Sequence, residues 1–201
     1  MIYWIGICAV ATMAAAGVLE AGAKRFDLAG MVFVALAAAL GGGTLRDLLL
    51  DRPVFSVADQ TYLIAALTAA MATFFVARAV VLPLGLFLIP DALGLALFTI
   101  TGTKAAMASD APWLVASLMG VITGVVGGIL RDVLCNEEPL VFRGRLYATA
   151  AWGGALLYLA APAFGLGPST AALLAGSTIL LVRLAAIRYG IGLPRFRAKA
   201  G

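Results

Sequence analysis

The sequence predicts an all-α membrane protein with seven transmembrane helices, arranged as two inverted three-helix repeats plus one C-terminal helix. Three observations lead to this fold class. Of the 201 residues, 63% are hydrophobic and only 12% are charged, whereas soluble domains carry about 25% charged residues. The apolar residues also fall into runs of about 20, the length at which a helix spans ~30 Å of hydrocarbon. The third observation is a charged motif that occurs twice.

Seven apolar runs supply the predicted helices, and turn-forming or charged residues separate them. A β-barrel would instead show short segments of alternating character. We interpret residues 1–201 as a single transmembrane domain. The runs cover residues 2–22, 28–50, 60–80, 83–106, 112–135, 145–163 and 168–189.

Basic residues are distributed unequally between the two sides of this predicted bundle. Seven spans put the two termini on opposite sides, and the side with the C-terminus holds nine basic loop and tail residues against two on the other. The positive-inside rule then predicts a multi-pass protein of the cell (inner or plasma) membrane, with the N-terminus outside and the C-terminus in the cytoplasm. The net charge of +4 fits this topology in the lipid bilayer. Nucleic acid is not an expected partner, because no basic stripe is interleaved with aromatic residues.

A glycine-rich Arg-Asp motif repeats at a fixed distance. Residues 41–49 (GGGTLRDLL) match residues 126–134 (VGGILRDVL), an offset of 131 − 46 = 85 residues. We therefore predict repeat one at 1–82 and repeat two at 83–165, followed by an extra helix at 168–189 and a short basic cytoplasmic tail at 190–201. Because each repeat has three spans, the second copy enters the membrane in the opposite orientation, as in many transporters and some channels.

Glycines precede the charges in both copies of the motif. Each glycine inside a helix is about 1 kcal/mol less favourable than alanine. Close packing of a neighbouring helix against bare backbone would offset this, and so would a kink or break that frees carbonyl groups to coordinate a cation. Both readings are open for Gly41, Gly42, Gly43, Gly127 and Gly128.

Two Arg-Asp pairs lie inside predicted spans: Arg46 with Asp47, and Arg131 with Asp132. Charges within a span persist when they are paired or face water. Adjacent helix residues point about 100° apart, so we expect pairing across the repeats, Arg46 with Asp132 or Arg131 with Asp47. The alternative is that each pair caps the end of its own helix.

Other polar residues are candidates of lower rank. Asp91, Thr101 and Lys104 could line a path within span four, although threonine in a membrane helix commonly bonds its own i−4 carbonyl and lysine can extend to the interface. The chain has no histidine, no nucleophile paired with a base and no metal-like ligand spacing. We expect neither an enzyme nor a metal site nor a cofactor.

The doubled motif resembles that of the trimeric intracellular cation channels, in their bacterial and archaeal branch, which also carries the description of a glycine-transporter-type membrane domain. Residues 41–47, 127–132 and 91–102 support this resemblance. It implies a homotrimer with a separate pore in each protomer, and passive permeation of potassium or sodium ions, chiefly potassium. It also implies that the five motif glycines kink spans two and five around the pore, whose wall carries the charges of Arg46, Asp47, Arg131 and Asp132.

Two other functions fit the same residues. A secondary transporter of a small zwitterion such as glycine would use the inverted repeats for alternating access, with paired Arg and Asp holding a carboxylate and an amine. A purely structural membrane protein would use the motifs only to pack helices. Unitary currents would indicate a channel, saturable uptake a transporter, and neither a structural protein.

Overall fold

The computed structural model describes residues 2–80, 83, 85–143 and 146–194. This part of the chain is built from α-helices joined by short turns. A 3-10 segment, Ala161–Phe164, continues the seventh helix. The helices are α1 Ile2–Ala23, α2 Leu28–Leu49, α3 Phe55–Ala58, α4 Gln60–Ala79, α5 Leu88–Met107, α6 Trp113–Leu134, α7 Ala148–Ala160 and α8 Pro168–Tyr189.

The long helices coincide with the seven predicted runs, and this confirms the all-helical class. The largest difference is at the start of the fourth run, where residues 85–87 form a turn and α5 begins at Leu88. The short helix α3 was not predicted. The join between the third and fourth runs falls partly on residues 81, 82 and 84, and the end of the basic tail on 195–201. These residues lie outside the described ranges.

Within the described residues, five helices are long and apolar enough to cross a membrane. They are α1, α2, α4, α6 and α8. Helix α5 carries Asp91 and Lys104, whose charges lower its mean hydropathy. Helix α7 with its 3-10 extension is a shorter apolar segment, Ala148–Phe164.

Small residues dominate the centre of the bundle. Helices α1, α2, α5 and α6 pack on one another, α4 packs on α1 and α2, and α7 and α8 pack on α5. Ala9, Ala14, Ala35 and Ala39 form part of a fully buried core between α1 and α2, because alanine allows backbones to approach closely. A second core lies beneath α7 and α8 and contains Ile179.

The turns between helices recur with the offset of the motif. Arg25 and Asp110 both adopt positive φ angles, 60° and 55°, and they are 110 − 25 = 85 residues apart. Asp51 and Asn136 adopt φ angles of 50° and 55°, and 136 − 51 is again 85. Left-handed backbone at non-glycine residues is uncommon, so its recurrence at equivalent positions indicates that two segments of the chain fold alike.

Contacts between loops define which helix ends lie together. Lys24, just after α1, forms an ion pair with Glu137, just after α6. Arg52, after α2, donates to the carbonyl oxygen of Ala105 at 2.7 Å and to the hydroxyl of Ser109 at 3.2 Å, at the end of α5. The C-terminal ends of α1 and α6 are therefore neighbours, as are those of α2 and α5.

Candidate functional site

The first charge pair lies near the C-terminal end of α2. Arg46 donates from Nε and Nη2 to the two carboxylate oxygens of Asp47, each at 2.9 Å. Asp47 also accepts the backbone N–H of Phe55 at 2.9 Å, and the Phe55 ring lies 5.5 Å from the Arg46 guanidinium carbon. Both charged residues are buried, so each depends on these partners for the stabilisation that water would otherwise provide.

The second charge pair has a similar arrangement at the end of α6, although Arg131 contacts Asp132 through Oδ1 alone. Arg131 donates from Nε to Asp132 at 2.8 Å, and Asp132 accepts the backbone N–H of Leu140 at 2.8 Å. That N–H is eight residues beyond the aspartate, as Phe55 is beyond Asp47. Each aspartate therefore joins its arginine to the chain that follows the helix.

The expected pairing across the repeats was wrong. Arg46 does not reach Asp132, and Arg131 does not reach Asp47, because each guanidinium folds back onto the adjacent carboxylate. The arginine side chain is long enough to span the roughly 100° between neighbouring helix positions, and at Arg46 a forked contact satisfies two donors at once. The alternative, in which each pair lies at the end of its own helix, is closer to the observed structure, although these pairs are buried rather than exposed.

Asp91 makes the second site larger than the first. Its Oδ1 accepts Arg131 Nη1 at 2.7 Å and the Tyr147 hydroxyl at 3.0 Å. Arg183 of α8 lies over the Tyr147 ring at 4.4 Å, with one nitrogen 4.0 Å from Asp91 Oδ2. All four side chains are buried. We call Asp91, Arg131, Asp132, Tyr147 and Arg183 the second charge cluster.

The first repeat has no carboxylate at the position equivalent to Asp91. The offset of 85 pairs Asp91 with Gly6 and Tyr147 with Tyr62. A β-carbon at Gly6 would stand 3.1 Å from the Tyr62 hydroxyl, so the tyrosine occupies the corresponding space. The sequence analysis named Asp91 but missed Tyr147 and Arg183. Two opposite charges in otherwise apolar runs, Asp91 and Arg183, were the signal that could have paired them.

The motif glycines lie where helices touch. A β-carbon at Gly42 would stand 2.2 Å from the Thr123 carbonyl oxygen, and one at Gly127 2.1 Å from that of Ala38. At Gly41, Gly43 and Gly128 it would meet side chains at 2.3, 2.4 and 2.8 Å. Helices α2 and α6 run through these glycines without interruption. Packing therefore explains them and a helix break does not, while a kink stays a prediction.

The remaining candidates take ordinary helix contacts. Thr101 is half-buried and donates to the Leu97 carbonyl oxygen at 3.1 Å, as threonines in membrane helices commonly do. Lys104 is half-buried in the last turn of α5, where a basic group suits the helix dipole. Within the described residues neither side chain is hydrogen-bonded or ion-paired to the charge sites.

Buried, mutually paired charges on glycine-packed helices define a class of protein. Intramembrane ionisable residues that face a bundle interior mark ion or solute paths, so the fold and the site are those of a membrane transport protein, in the broad sense that includes channels. Comparison with known sequences and structures narrows this class.

The sequence model of a family described as "Glycine transporter" matches this chain twice, over residues 3–78 and 88–163. The UPF0126 inner membrane protein YadS of Escherichia coli strain K12 is 42% identical over 199 residues, covering 98% of this chain and 96% of the relative. The trimeric intracellular cation channel orthologue from Rhodobacter sphaeroides superposes with a TM-score of 0.88 at 36% identity, covering 94% of this chain and 98% of that one. A second structure, described as a basis for conductance through these channels, gives 0.86 at 30% identity over 98% of both chains.

The chain belongs to the trimeric intracellular cation channel family, in its prokaryotic branch. The resemblance stated from the doubled motif is thereby confirmed. The protein is a membrane protein, and its relative YadS is described as an inner membrane protein. Because the family consists of channels, the protein is not an enzyme.

Proposed function

We propose that the protein is a passive channel for monovalent cations, chiefly potassium, with a conduction path inside each protomer of a homotrimer. The observation that carries this proposal is the likeness to the Rhodobacter sphaeroides channel over 94% of the chain. The comparisons favour this channel over the transporter of a zwitterion, because the solved relatives are described as cation channels. No bound cofactor is required, and the ligands are the permeant ions themselves.

An inverted repeat of three plus three spans is supported by four features that share one offset. The family model matches twice with starts 88 − 3 = 85 residues apart, the left-handed turn residues recur, and the two aspartates bind equivalent loop amides. The fourth feature is the reciprocal contact of Gly42 and Gly127. In this arrangement α5 and the shorter α7 complete seven spans, α8 is the extra helix, and the C-terminus is cytoplasmic.

In the proposed mechanism the two charge sites form the polar wall of the path. Arg46 is balanced by Asp47, and Arg131 and Arg183 are balanced by Asp132 and Asp91. The wall is therefore nearly neutral in sum, and a cation meets carboxylate oxygens beside each arginine. Gly41, Gly42 and Gly127 let α2 and α6 approach closely. Gly43 and Gly128 leave room for the Phe55 ring and the Tyr147 hydroxyl, which lie beside the charges. Kinks at the same glycines would widen the path on either side.

The direct test is to reconstitute the purified protein in a planar bilayer under a potassium chloride gradient. Step-like currents that reverse near the potassium equilibrium potential are expected, and replacement of potassium by sodium on one side then measures selectivity. Chemical cross-linking in the membrane should yield a trimer. If well-folded protein gives no currents but liposomes take up labelled glycine saturably, the channel proposal is wrong and the transporter is correct.

A further inference from the structure

A cavity of about 580 Å³ opens between the C-terminal ends of α1 and α4 and residues 85–87, which directly precede α5. Its wall is mostly apolar and includes Val18, Met31, Phe74 and Leu86. The wall also contains Glu20 of α1. A carboxylate in such surroundings is unusual, because burying an ionised group without a partner is strongly unfavourable.

Glu20 is almost completely buried, with 8% of its surface exposed, and it lines the cavity. Among the residues that the structure describes, no donor forms a hydrogen bond with its carboxylate and no basic group lies within 4 Å of it. The carboxylate therefore faces a space large enough for an ion with part of its hydration shell. A cation in that space would supply the missing partner.

Two of the basic groups near Glu20, Lys24 and Arg131, are already neutralised by other carboxylates. Lys24, one turn further along the chain, pairs with Glu137, and Glu137 also accepts a hydrogen bond from Arg143. Arg131 is held by two carboxylates of the second charge cluster. Arg78, at the end of α4, lines the cavity but is exposed, so water screens its charge.

The cavity extends to the second charge cluster through one aromatic ring. Phe87 lines the cavity, and the same ring lies 4.9 Å from the Arg131 guanidinium carbon. An ion beside Glu20 would thus be separated from the Arg131 site by the Phe87 side chain. The repeat does not provide a second such site, because the position 85 residues after Glu20 is Ala105.

We propose that this cavity is a vestibule that binds a monovalent cation at the Glu20 carboxylate, on the side of the α1–α2 loop only. The inference rests on the proposed channel function and adds to it the group that attracts the ion on one side. A buried carboxylate in a mostly apolar wall raises the local concentration of cations, whereas the exposed Arg78 on the same wall is screened by water. Glu20 would do so because Lys24 and Arg131 are already paired with other carboxylates and leave its charge uncompensated.

The test compares single-channel currents of wild type and Glu20→Gln in symmetric potassium chloride at low and high concentration. At about 0.05 M we expect the variant to conduct at least about twofold less for cations that enter from the α1–α2 loop side, with less effect in the other direction. At about 1 M the difference should largely vanish, because salt screens the charge.

Glu138→Gln is the matched control, since it removes an exposed acid from the neighbouring loop and should leave both currents unchanged. Glu20→Asp, which keeps the charge, should conduct like the wild type.

A second measurement separates this proposal from the channel function. The melting temperature of detergent-solubilised protein is compared in potassium chloride and in N-methylglucamine chloride at equal ionic strength. Cation binding at Glu20 predicts that potassium raises the melting temperature of the wild type but not of Glu20→Gln. If the wild type conducts and Glu20→Gln equals it at both salt concentrations, the vestibule proposal is overturned and the channel remains. If the bilayer is silent, the channel fails and the melting comparison alone decides whether the cavity binds a cation.

Discussion

Gly127 of α6 lies so close to Ala38 of α2 that a β-carbon at position 127 would stand 2.1 Å from the Ala38 carbonyl oxygen. The contact is reciprocal, because a β-carbon at Gly42 would stand 2.2 Å from the carbonyl oxygen of Thr123. Gly42 precedes Gly127, and Ala38 precedes Thr123, by the same 85 residues. The two helices therefore touch backbone to backbone at equivalent points of the repeat.

We expect Gly127→Ala to destabilise the protein by about 1–3 kcal/mol or more, because a methyl group there can only be accommodated if two backbones separate. Thermal unfolding of the solubilised protein, followed by intrinsic fluorescence, measures this effect. The control is Gly153→Ala on α7, where a β-carbon meets nothing within 4 Å. That variant should be neutral or more stable by up to about 1 kcal/mol, from helix propensity alone. Equal melting temperatures for the two variants would contradict the close contact.

The positions of the long helices could be predicted because membrane insertion imposes a simple rule on composition. Each run of about 20 apolar residues must form a helix, since hydrocarbon satisfies no backbone groups. The offset between Arg46 and Arg131 was visible for the same reason, because charges are sparse in such runs. The match between predicted runs and observed helices is closest for α8, whose predicted and observed bounds are both 168–189.

Partner choice could not be predicted from the sequence. Helical periodicity places Arg46 and Asp47 about 100° apart, but it does not say that the guanidinium folds back along the helix. The contact of Arg183 with Asp91 depends on how α8 packs against α5, and the role of Tyr147 depends on the loop before α7. The short helix α3 is fixed by Asp47, which accepts the Phe55 amide, a contact that no local pattern indicates.

Asp91 is expected to be essential for stability, because it faces two buried guanidinium groups. Asp91→Asn leaves Arg131 with one carboxylate and places a neutral amide against Arg183. Removal of one partner of a buried ion pair typically destabilises by about 3–5 kcal/mol. Asp110→Asn is the control, since Asp110 is exposed and asparagine tolerates its φ of 55°. Chemical denaturation in mild detergent should show a large shift for the first variant only, and similar midpoints would refute the role of Asp91.

Asp132→Asn should reduce cation conductance if the proposed channel is correct. The amide oxygen can still accept the Leu140 N–H, but it no longer balances Arg131, so the wall gains one positive charge. At about 4 Å and an effective dielectric constant near 20, the interaction energy of two unit charges is about 4 kcal/mol. Each 1.4 kcal/mol corresponds to about a tenfold change in the occupancy of a site by a cation. We therefore expect single-channel conductance to fall by at least about tenfold. Asp47→Asn should act in the same direction at the first pair, whereas Asp110→Asn should conduct normally. Normal conductance in properly assembled Asp132→Asn would mean that ions do not pass this site.

The ion pair of Lys24 and Glu137 predicts a specific dependence of stability on pH. Hydrogen bonding to Lys24 lowers the pKa of Glu137 below its ordinary value near 4.5, and hydrogen bonding to Glu137 raises the pKa of Lys24 above 10.5. A carboxylate with a lowered pKa contributes stability that is present above its unfolded pKa and is lost as pH falls through the folded value. The lysine contribution is present below its unfolded pKa and is lost as pH rises through the folded one. The contact between the ends of α1 and α6 should therefore be constant near neutral pH and weaken below about pH 4.

We expect the melting-temperature difference between wild type and Glu137→Gln to be small, because exposed pairs contribute little. It should disappear on acidification or in high salt, whereas Glu138→Gln should show no difference from wild type at any pH. A difference that persists in acid would mean that Glu137 acts through packing rather than through its charge.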